Sequence, residues 1–247
     1  MRPSGALGTP PLTANATLRW SIVRTLLDRL RPSRVLEIGC GQGAFGARIA
    51  ARAEYVGVEQ DTESWRVARD RVVPIGGRVL NGTIDVLEDT EPFDLVCAFE
   101  VLEHIEDDVG ALEGWRSRLG PGGAVLVSVP AWPDRFGPWD AAVGHYRRYT
   151  PVQLEDTIST AGYLTPETAL YGWPLGYITE PVRNAVARRT RGQTQSTMEA
   201  RTASSGRSLQ SNGVWGRAVM AGATPFILIQ KLRPTAGIGL IGLGRVQ

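Results

Sequence analysis

A short apolar run, Arg34-Val-Leu-Glu-Ile, leads directly into Gly39-Cys-Gly41-Gln-Gly43 and then into a helical stretch, and this strand-then-helix unit recurs along the chain. Residues 54–59 (EYVGVE), 78–80, 93–99 (FDLVCAF) and 124–129 read as further strands, each nearly continuous in its hydrophobicity. Residues 62–72 and 106–119 read as intervening helices, and Gly120-Pro-Gly-Gly123 as a turn. Such strands, separated by helices, predict parallel pairing with both faces covered by right-handed crossovers. The expected fold is α/β: a doubly wound, mostly parallel seven-stranded sheet with a helical insertion before the last strand. Ligands of such sheets bind beyond the carboxyl ends of the strands, where the strand order reverses. The glycine run after the first strand is therefore the first candidate site.

Local signals set the remaining organisation. Trp20, Val23, Leu26, Leu27 and Leu30 share one helix face and Pro32 ends that helix, so residues 1–32 form an N-terminal arm and helix. Residues 33–172 form the α/β domain. In it, Thr150-Pro-Val-Gln153 has the spacing of a capping box with proline at the first helical position, which predicts a helix over 151–161 ended by Gly162. Residues 173–233 exceed a minimal α/β domain. Their ends are apolar and aromatic (Trp173, Leu175, Tyr177 and Ile178; Trp215, Val219, Phe226 and Leu228), while 192–212 is polar and Arg188, Arg189, Arg191, Arg201 and Arg207 lie in between. This pattern predicts a helical or mobile lid whose arginines face solvent, an anionic acceptor or a membrane surface; the plainer alternative is a helical elaboration with a solvated basic loop. Residues 234–247, containing Gly237-Ile-Gly-Leu-Ile-Gly-Leu-Gly244, read as the last strand.

Composition removes several classes. With 43% hydrophobic and 21% charged residues, the chain is neither disordered, nor collagen-like, nor a disulfide scaffold. Its formal charge of +2 hides an asymmetry, −6 over residues 1–179 and +5 over 180–217. A patch that small, without a long basic stripe or recognition motif, speaks against a nucleic-acid partner. Cys40 and Cys97 each sit in an apolar run, so a reducing compartment is expected. The first twenty residues lack the pattern of a signal peptide, and the longest apolar stretch, Ala218 to Ile229, is shorter than a membrane span; both point to a cytoplasmic protein.

The central constellation is Glu37-Ile-Gly39-Cys-Gly41-Gln-Gly43 with Glu59-Gln60-Asp61 after the next strand. Gly41, Gly43 and Gly46 also satisfy G-x-G-x-x-G, the spacing of a pyrophosphate loop and hence of a nicotinamide-dependent oxidoreductase. Glu37, two residues before the first glycine, opposes that reading, since a carboxylate at the strand's lip repels a diphosphate and suits a cationic ligand. E-x-G-x-G-x-G followed by the acidic Glu59 resembles the class I S-adenosylmethionine-dependent methyltransferases, of the type 11 and type 23 small-molecule kind. Asp85 after Ile84, the run Phe93 to His104 and Leu119-Gly-Pro-Gly-Gly123 resemble that family's third, fourth and fifth motifs, in order over about residues 33–172. The resemblance implies S-adenosylmethionine as cofactor, held by Glu37, Gly39, Gly41, Gly43, Glu59, Gln60, Asp85 and Glu100. Glu59 would take both ribose hydroxyls and Asp85 the adenine side. Structural alternatives are a tight turn for the glycines, a turn cap for Asp85 and helix ordering for Glu100.

Methyl transfer demands chiefly that the acceptor atom be aligned about 3 Å from the methyl carbon in a dry site. A general base is needed only where the acceptor must lose a proton. His145 is the leading candidate base and His104 the second, these being the only histidines. The run Gly144-His-Tyr-Arg-Arg-Tyr-Thr150 resembles a subset of small bacterial methyltransferases with diverse acceptors. Tyr146, Arg147, Arg148 and Trp132 are the candidate acceptor-binding residues, with pairing to the protein's own acids as the alternative for the arginines. The fourth strand does not end in an Asp/Asn-Pro-Pro-aromatic run, which argues against base-nitrogen methylation. Linear spacing shows no metal-ligand cluster, so none is expected. The function expected is methylation, on oxygen first, of a small-molecule or lipid-linked acceptor, with weak membrane-surface contact open and the oligomeric state not fixed. A non-catalytic protein retaining the fold is the third alternative.

Overall fold

The computed structural model describes residues 9–88, 91–190 and 214–247. Strands β1 (Arg34–Ile38), β2 (Glu54–Glu59), β3 (Arg78–Asn81), β4 (Phe93–Phe99), β5 (Leu119–Pro130), β6 (Leu164–Gly172) and β7 (Gly237–Arg245) form one sheet in the order β3-β2-β1-β4-β5-β7-β6. Each of the first five is parallel to its neighbours. Successive residues of these strands enter opposite cores: Val35, Leu95 and Cys97 lie on one face, Leu36, Val96 and Ala98 on the other, all fully buried. The continuous hydrophobicity of the strands is the sequence trace of that double burial. Each valine or leucine among them contributes about 1.5–3 kcal/mol by leaving water.

Helices α1 (Ala14–Leu30), α2 (Gly46–Ala50) and α3 (Thr62–Val72) contribute to the first core, and α4 (Asp108–Arg116) and α6 (Pro151–Thr160) to the second. The capping box at Thr150 is present as predicted: its hydroxyl accepts from the Gln153 N–H, and the Gln153 side chain accepts from the Thr150 N–H. The expected helix over 106–119 is shorter, because Asp107 caps it at Gly110 N–H. Gly120-Pro-Gly-Gly123, expected as a free turn, lies inside β5, where the register against β4 jumps from Phe93↔Leu119 to Leu95↔Ala124. Both cysteines are free and buried.

The departure from a parallel sheet is β7, which runs antiparallel to both β5 and β6. β6 ends at Gly172 and β7 begins at its register partner Gly237. The excursion between them thus leaves and re-enters at the carboxyl end of the sheet, which reverses the last strand. It contains α7 (Leu175–Thr190), packed on α5 (Pro138–Val143), and α8 (Val214–Ile229), packed on α1. The polar stretch 192–212, with Arg191, Arg201 and Arg207, lies outside the described residues, so the expected lid is untested at its centre. Among the described residues, no helix is long and apolar enough to cross a membrane.

Candidate active site

The strand order reverses between β1 and β4, and the glycine loop fills the resulting crevice. Gly39, Gly41 and Gly43 all have positive φ (63°, 53° and 72°), a conformation side chains resist. A Cβ on Gly39 would meet Val101 at 2.7 Å and one on Gly43 the Ala68 backbone at 2.9 Å, whereas a Cβ on Gly41 would meet nothing within 4 Å. The middle glycine therefore presents backbone to open space, as a ligand cradle requires. Gly46, the third glycine of the pyrophosphate reading, is explained by packing, since a Cβ there would collide with the Tyr55 hydroxyl.

Glu59, at the end of β2, braces the loop: one carboxylate oxygen accepts from Gly41 N–H and the other from Asp61 N–H, both at 2.8 Å. Burial pushes its carboxyl up, against those hydrogen bonds. Each oxygen keeps a second lone pair, so the carboxylate can still accept from two ligand hydroxyls. Gln60 is exposed beside it. Asp85 is exposed in the short turn after β3, where its carboxylate accepts from the Thr83 hydroxyl at 2.9 Å.

Glu37 departs from expectation. It is not at the lip of the crevice but within β1, 2% exposed, accepting a 2.6 Å bond from the Tyr55 hydroxyl. Burial pushes its carboxyl up to about 8, with Tyr55 and Arg19 opposing, so it is mostly neutral at pH 7. It supports the loop from below.

The cation on this side is one the sequence reading missed. Arg19, from α1, places Nη1 2.8 Å from the Glu100 carboxylate and 2.9 Å from the Ser128 hydroxyl, and its guanidinium lies over the Phe45 ring. Its Nε is buried and has no hydrogen-bond partner. Glu100 itself has a positive φ of 59° at the end of β4 and also accepts from Tyr171. Burial would raise its carboxyl, but the Arg19 charge holds it below its usual range.

The acceptor side is built around His145. Its Nδ1 lies 2.8 Å from Asp140 of α5, and its Nε2 lies 3.8 Å from Glu103. Burial favours a neutral Asp140, but hydrogen bonds from His145 and Arg148 hold its carboxyl well below the usual carboxylate range. Asp140 is therefore ionised and accepts from Nδ1 of His145. His104 stacks edge-on against His145, ring centroids 4.7 Å apart, with Nδ1 3.2 Å from the Gly144 carbonyl. Burial and the neighbouring His145 pull it down to about 4, so it is neutral. Glu103 is fully buried, neither carboxyl oxygen has a hydrogen-bond partner, and burial together with the Glu100 charge raises it strongly.

The arginines expected at the acceptor are committed to the protein's own acids, which corrects that reading. Arg148 forms two bonds to Asp140 (2.7 and 2.8 Å) and one to Glu180 of α7 (2.6 Å), with its side chain 5% exposed. Arg147 pairs with Asp108 at 2.9 Å and caps the Glu106 carbonyl. A buried guanidinium with three charge-assisted bonds to two carboxylates has its charge spent within the protein. Trp132 donates from its indole to the Gly237 carbonyl at 2.7 Å and so ties the loop to β7. Tyr146 is 41% exposed and faces outward from the same loop. The absence of a metal-ligand cluster also needs correction: ligand atoms of Glu103, His104 and His145 lie within 4.8 Å of one another. Glu103 and His104 adjoin in sequence, but His145 arrives by folding.

A positive-φ glycine loop braced by an acid at the next strand's end, at the switch point of this sheet, defines a nucleoside-cofactor site of the Rossmann-like type. A family model for a methyltransferase domain matches residues 14–165. The ubiquinone biosynthesis O-methyltransferase of Azorhizobium caulinodans is 30% identical over 207 residues, covering 70% of this chain and 77% of that protein. That of Idiomarina loihiensis is 31% identical over 124 residues, covering 48% and 51%, so the chain spans about half the length of this relative. In solved structures, a SAM-dependent methyltransferase of Thermotoga maritima matches with a TM-score of 0.57 at 16% identity, over 95% of this chain and 92% of that one. The chain belongs to the methyltransferase domain family.

Proposed function

We propose that this chain transfers the methyl group of S-adenosylmethionine to a hydroxyl oxygen of a small or lipid-linked acceptor, with His145 taking the hydroxyl proton at Nε2. When bound, the cofactor supplies a sulfonium-activated methyl group. Gly41 and the neighbouring loop backbone would hold its amino-acid portion, Glu59 would accept from its ribose hydroxyls, Asp85 would serve the adenine side, and the Arg19 guanidinium would supply a cation for its carboxylate. The fit rests on the open face at Gly41 and on the spare lone pairs of Glu59.

The observation that carries the oxygen acceptor is the buried pair Asp140–His145. An ionised aspartate on Nδ1 fixes the tautomer that leaves Nε2 basic and stabilises the imidazolium formed by proton uptake. Such a base serves a hydroxyl and is superfluous for a carboxylate. The relatives are named for O-methyl transfer in ubiquinone biosynthesis, which agrees in reaction type. Methyl transfer from labelled S-adenosylmethionine to a panel of hydroxylated acceptors, measured as a pH–rate profile for wild type and His145→Gln, tests this. Loss of the acidic limb and a rate drop of about 10²–10⁴ are expected; an unchanged profile at near-normal rate removes His145 from the reaction.

A second reading has its own observation, the unsatisfied carboxyl of Glu103 beside two imidazoles. One carboxylate and two histidines form a donor set for a divalent cation, which would polarise the acceptor hydroxyl directly. Turnover that stops with a chelator and returns with magnesium or manganese favours this reading, and chelator-resistant turnover excludes it.

A further inference from the structure

Helix α7 is built inside out. Glu180, Asn184 and Ala187 face the protein, while Ile178 and Val182, two residues out of phase, are 62% and 61% exposed, and Val186 continues their line at 51%. The orientation is fixed from the polar side. Glu180 pairs with Arg148 and Arg135, Asn184 Oδ1 accepts from Trp139 N–H at 3.0 Å, and the Arg183 guanidinium lies over the Trp139 ring. Turning the helix to bury its apolar side would strip Arg148 and Arg135 of Glu180. The fold thus holds an apolar stripe in water next to α5, the helix that carries Asp140.

Exposed cations lie along the described part of the same excursion. Arg188 and Arg189 at the end of α7 are exposed, as are Arg217, Lys231 and Arg233 on α8 and the turn after it, where Leu228 and Leu232 are 69% and 76% exposed. That turn adjoins the start of α7: the Gln230 side chain accepts from Gly172 N–H at 3.1 Å, and the Arg233 guanidinium lies over the Trp173 ring. Among the described residues of 175–190 and 214–233 the only acid is Glu180, which is buried and doubly paired.

We infer that the outer face of α7, with the adjoining turn 230–233, docks on an anionic lipid surface. An exposed apolar row with exposed cations along the same two helices is what an interfacial helix presents to headgroups and acyl chains. A second copy docking through the same face would set arginine against arginine, since such a contact is self-complementary. The inference goes beyond the proposed reaction and does not depend on the acceptor.

Co-sedimentation of the full chain with phosphatidylcholine vesicles, with and without phosphatidylglycerol, at low and high salt, is the test. Binding is expected only with phosphatidylglycerol, with release at high salt. Arg188→Gln with Arg189→Gln should weaken it about 30-fold, as each cation near such a surface contributes roughly a factor of five. Ile178→Ser with Val182→Ser should abolish it while leaving Tm and S-adenosylhomocysteine affinity unchanged, and that affinity reports the cofactor site separately. Wild type that ignores phosphatidylglycerol vesicles, an Ile178→Ser/Val182→Ser variant that binds them normally, or a solution dimer that this variant dissolves overturns the inference.

Discussion

Replacing Glu37 by glutamine should make the protein's stability less sensitive to pH. In the folded state, burial lifts this carboxyl from 4.5 to about 8. Between roughly pH 5 and 7.5 the native chain therefore keeps a proton that the unfolded chain has lost, so raising the pH favours unfolding by about 1.4 kcal/mol per unit. The stability associated with neutral Glu37 is fully present below the unfolded pKa and is lost as pH rises through about 8. From pH 6 to 7.5 the loss is about 2 kcal/mol, or roughly 4–8 °C in Tm for a chain of this length. Glutamine keeps an acceptor for the 2.6 Å bond from the Tyr55 hydroxyl and carries no charge. The Tm of Glu37→Gln should track wild type below pH 5 and exceed it increasingly above pH 6, by thermal melts in a matched buffer series. Other groups titrate identically in both proteins, so the difference isolates Glu37. Parallel Tm–pH curves would refute the reasoning and place an ionised carboxylate under the glycine loop at neutral pH.

Glu59→Gln loses one charge-assisted acceptor and neutralises the other, about 2–4 kcal/mol, so S-adenosylhomocysteine affinity by calorimetry should fall about 30- to 1,000-fold; unchanged affinity with a lowered Tm would make Glu59 a loop brace only. Asp140→Asn removes the charge that holds His145, and kcat should fall about 10²–10⁴-fold with little change in cofactor affinity. An equal loss in kcat and cofactor binding would show instead that α5 had shifted. Gly43→Ala combines a φ of +72° with a 2.9 Å approach to the Ala68 backbone, and a cost of about 1–3 kcal/mol should appear as a lower Tm together with weaker cofactor binding.

The cofactor half of the site was legible because it is local. Gly39, Gly41, Gly43 and Glu59 lie at the ends of two adjacent parallel strands, and the strands announce themselves by continuous hydrophobicity. Even there, burial was not legible. In sequence Glu37 is one residue from the end of β1, but the pleat sends it inward toward Tyr55 and the next residue, Ile38, to the opposite face. Arg19 was missed for a different reason: its partners Glu100 and Ser128 lie far along the chain, and nothing in α1 distinguishes it from the exposed Arg24 or Arg29.

The acceptor half depends on which way amphipathic and polar segments turn, and a single sequence does not carry that information. The run Gly144-His-Tyr-Arg-Arg-Tyr-Thr150 holds four candidate side chains; the fold buries His145 and Arg148 against Asp140, sends Arg147 to Asp108 and leaves Tyr146 exposed. The same ambiguity governs α7. Its periodicity shows two faces, and the ordinary expectation puts Ile178 and Val182 inside. What reverses it is Arg148, a buried cation, because stripping a carboxylate from a buried guanidinium costs on the order of 3–5 kcal/mol, enough to offset the exposure of two aliphatic side chains. Glu180 supplies its second carboxylate from α7 and thereby turns the apolar row outward. The ion pairs that fix the candidate base and the orientation of the exposed stripe are thus one network. Arg148→Met should disturb both, lowering kcat through Asp140 and freeing α7 to rotate, and faster proteolysis within 175–190 would report the second effect independently of the first.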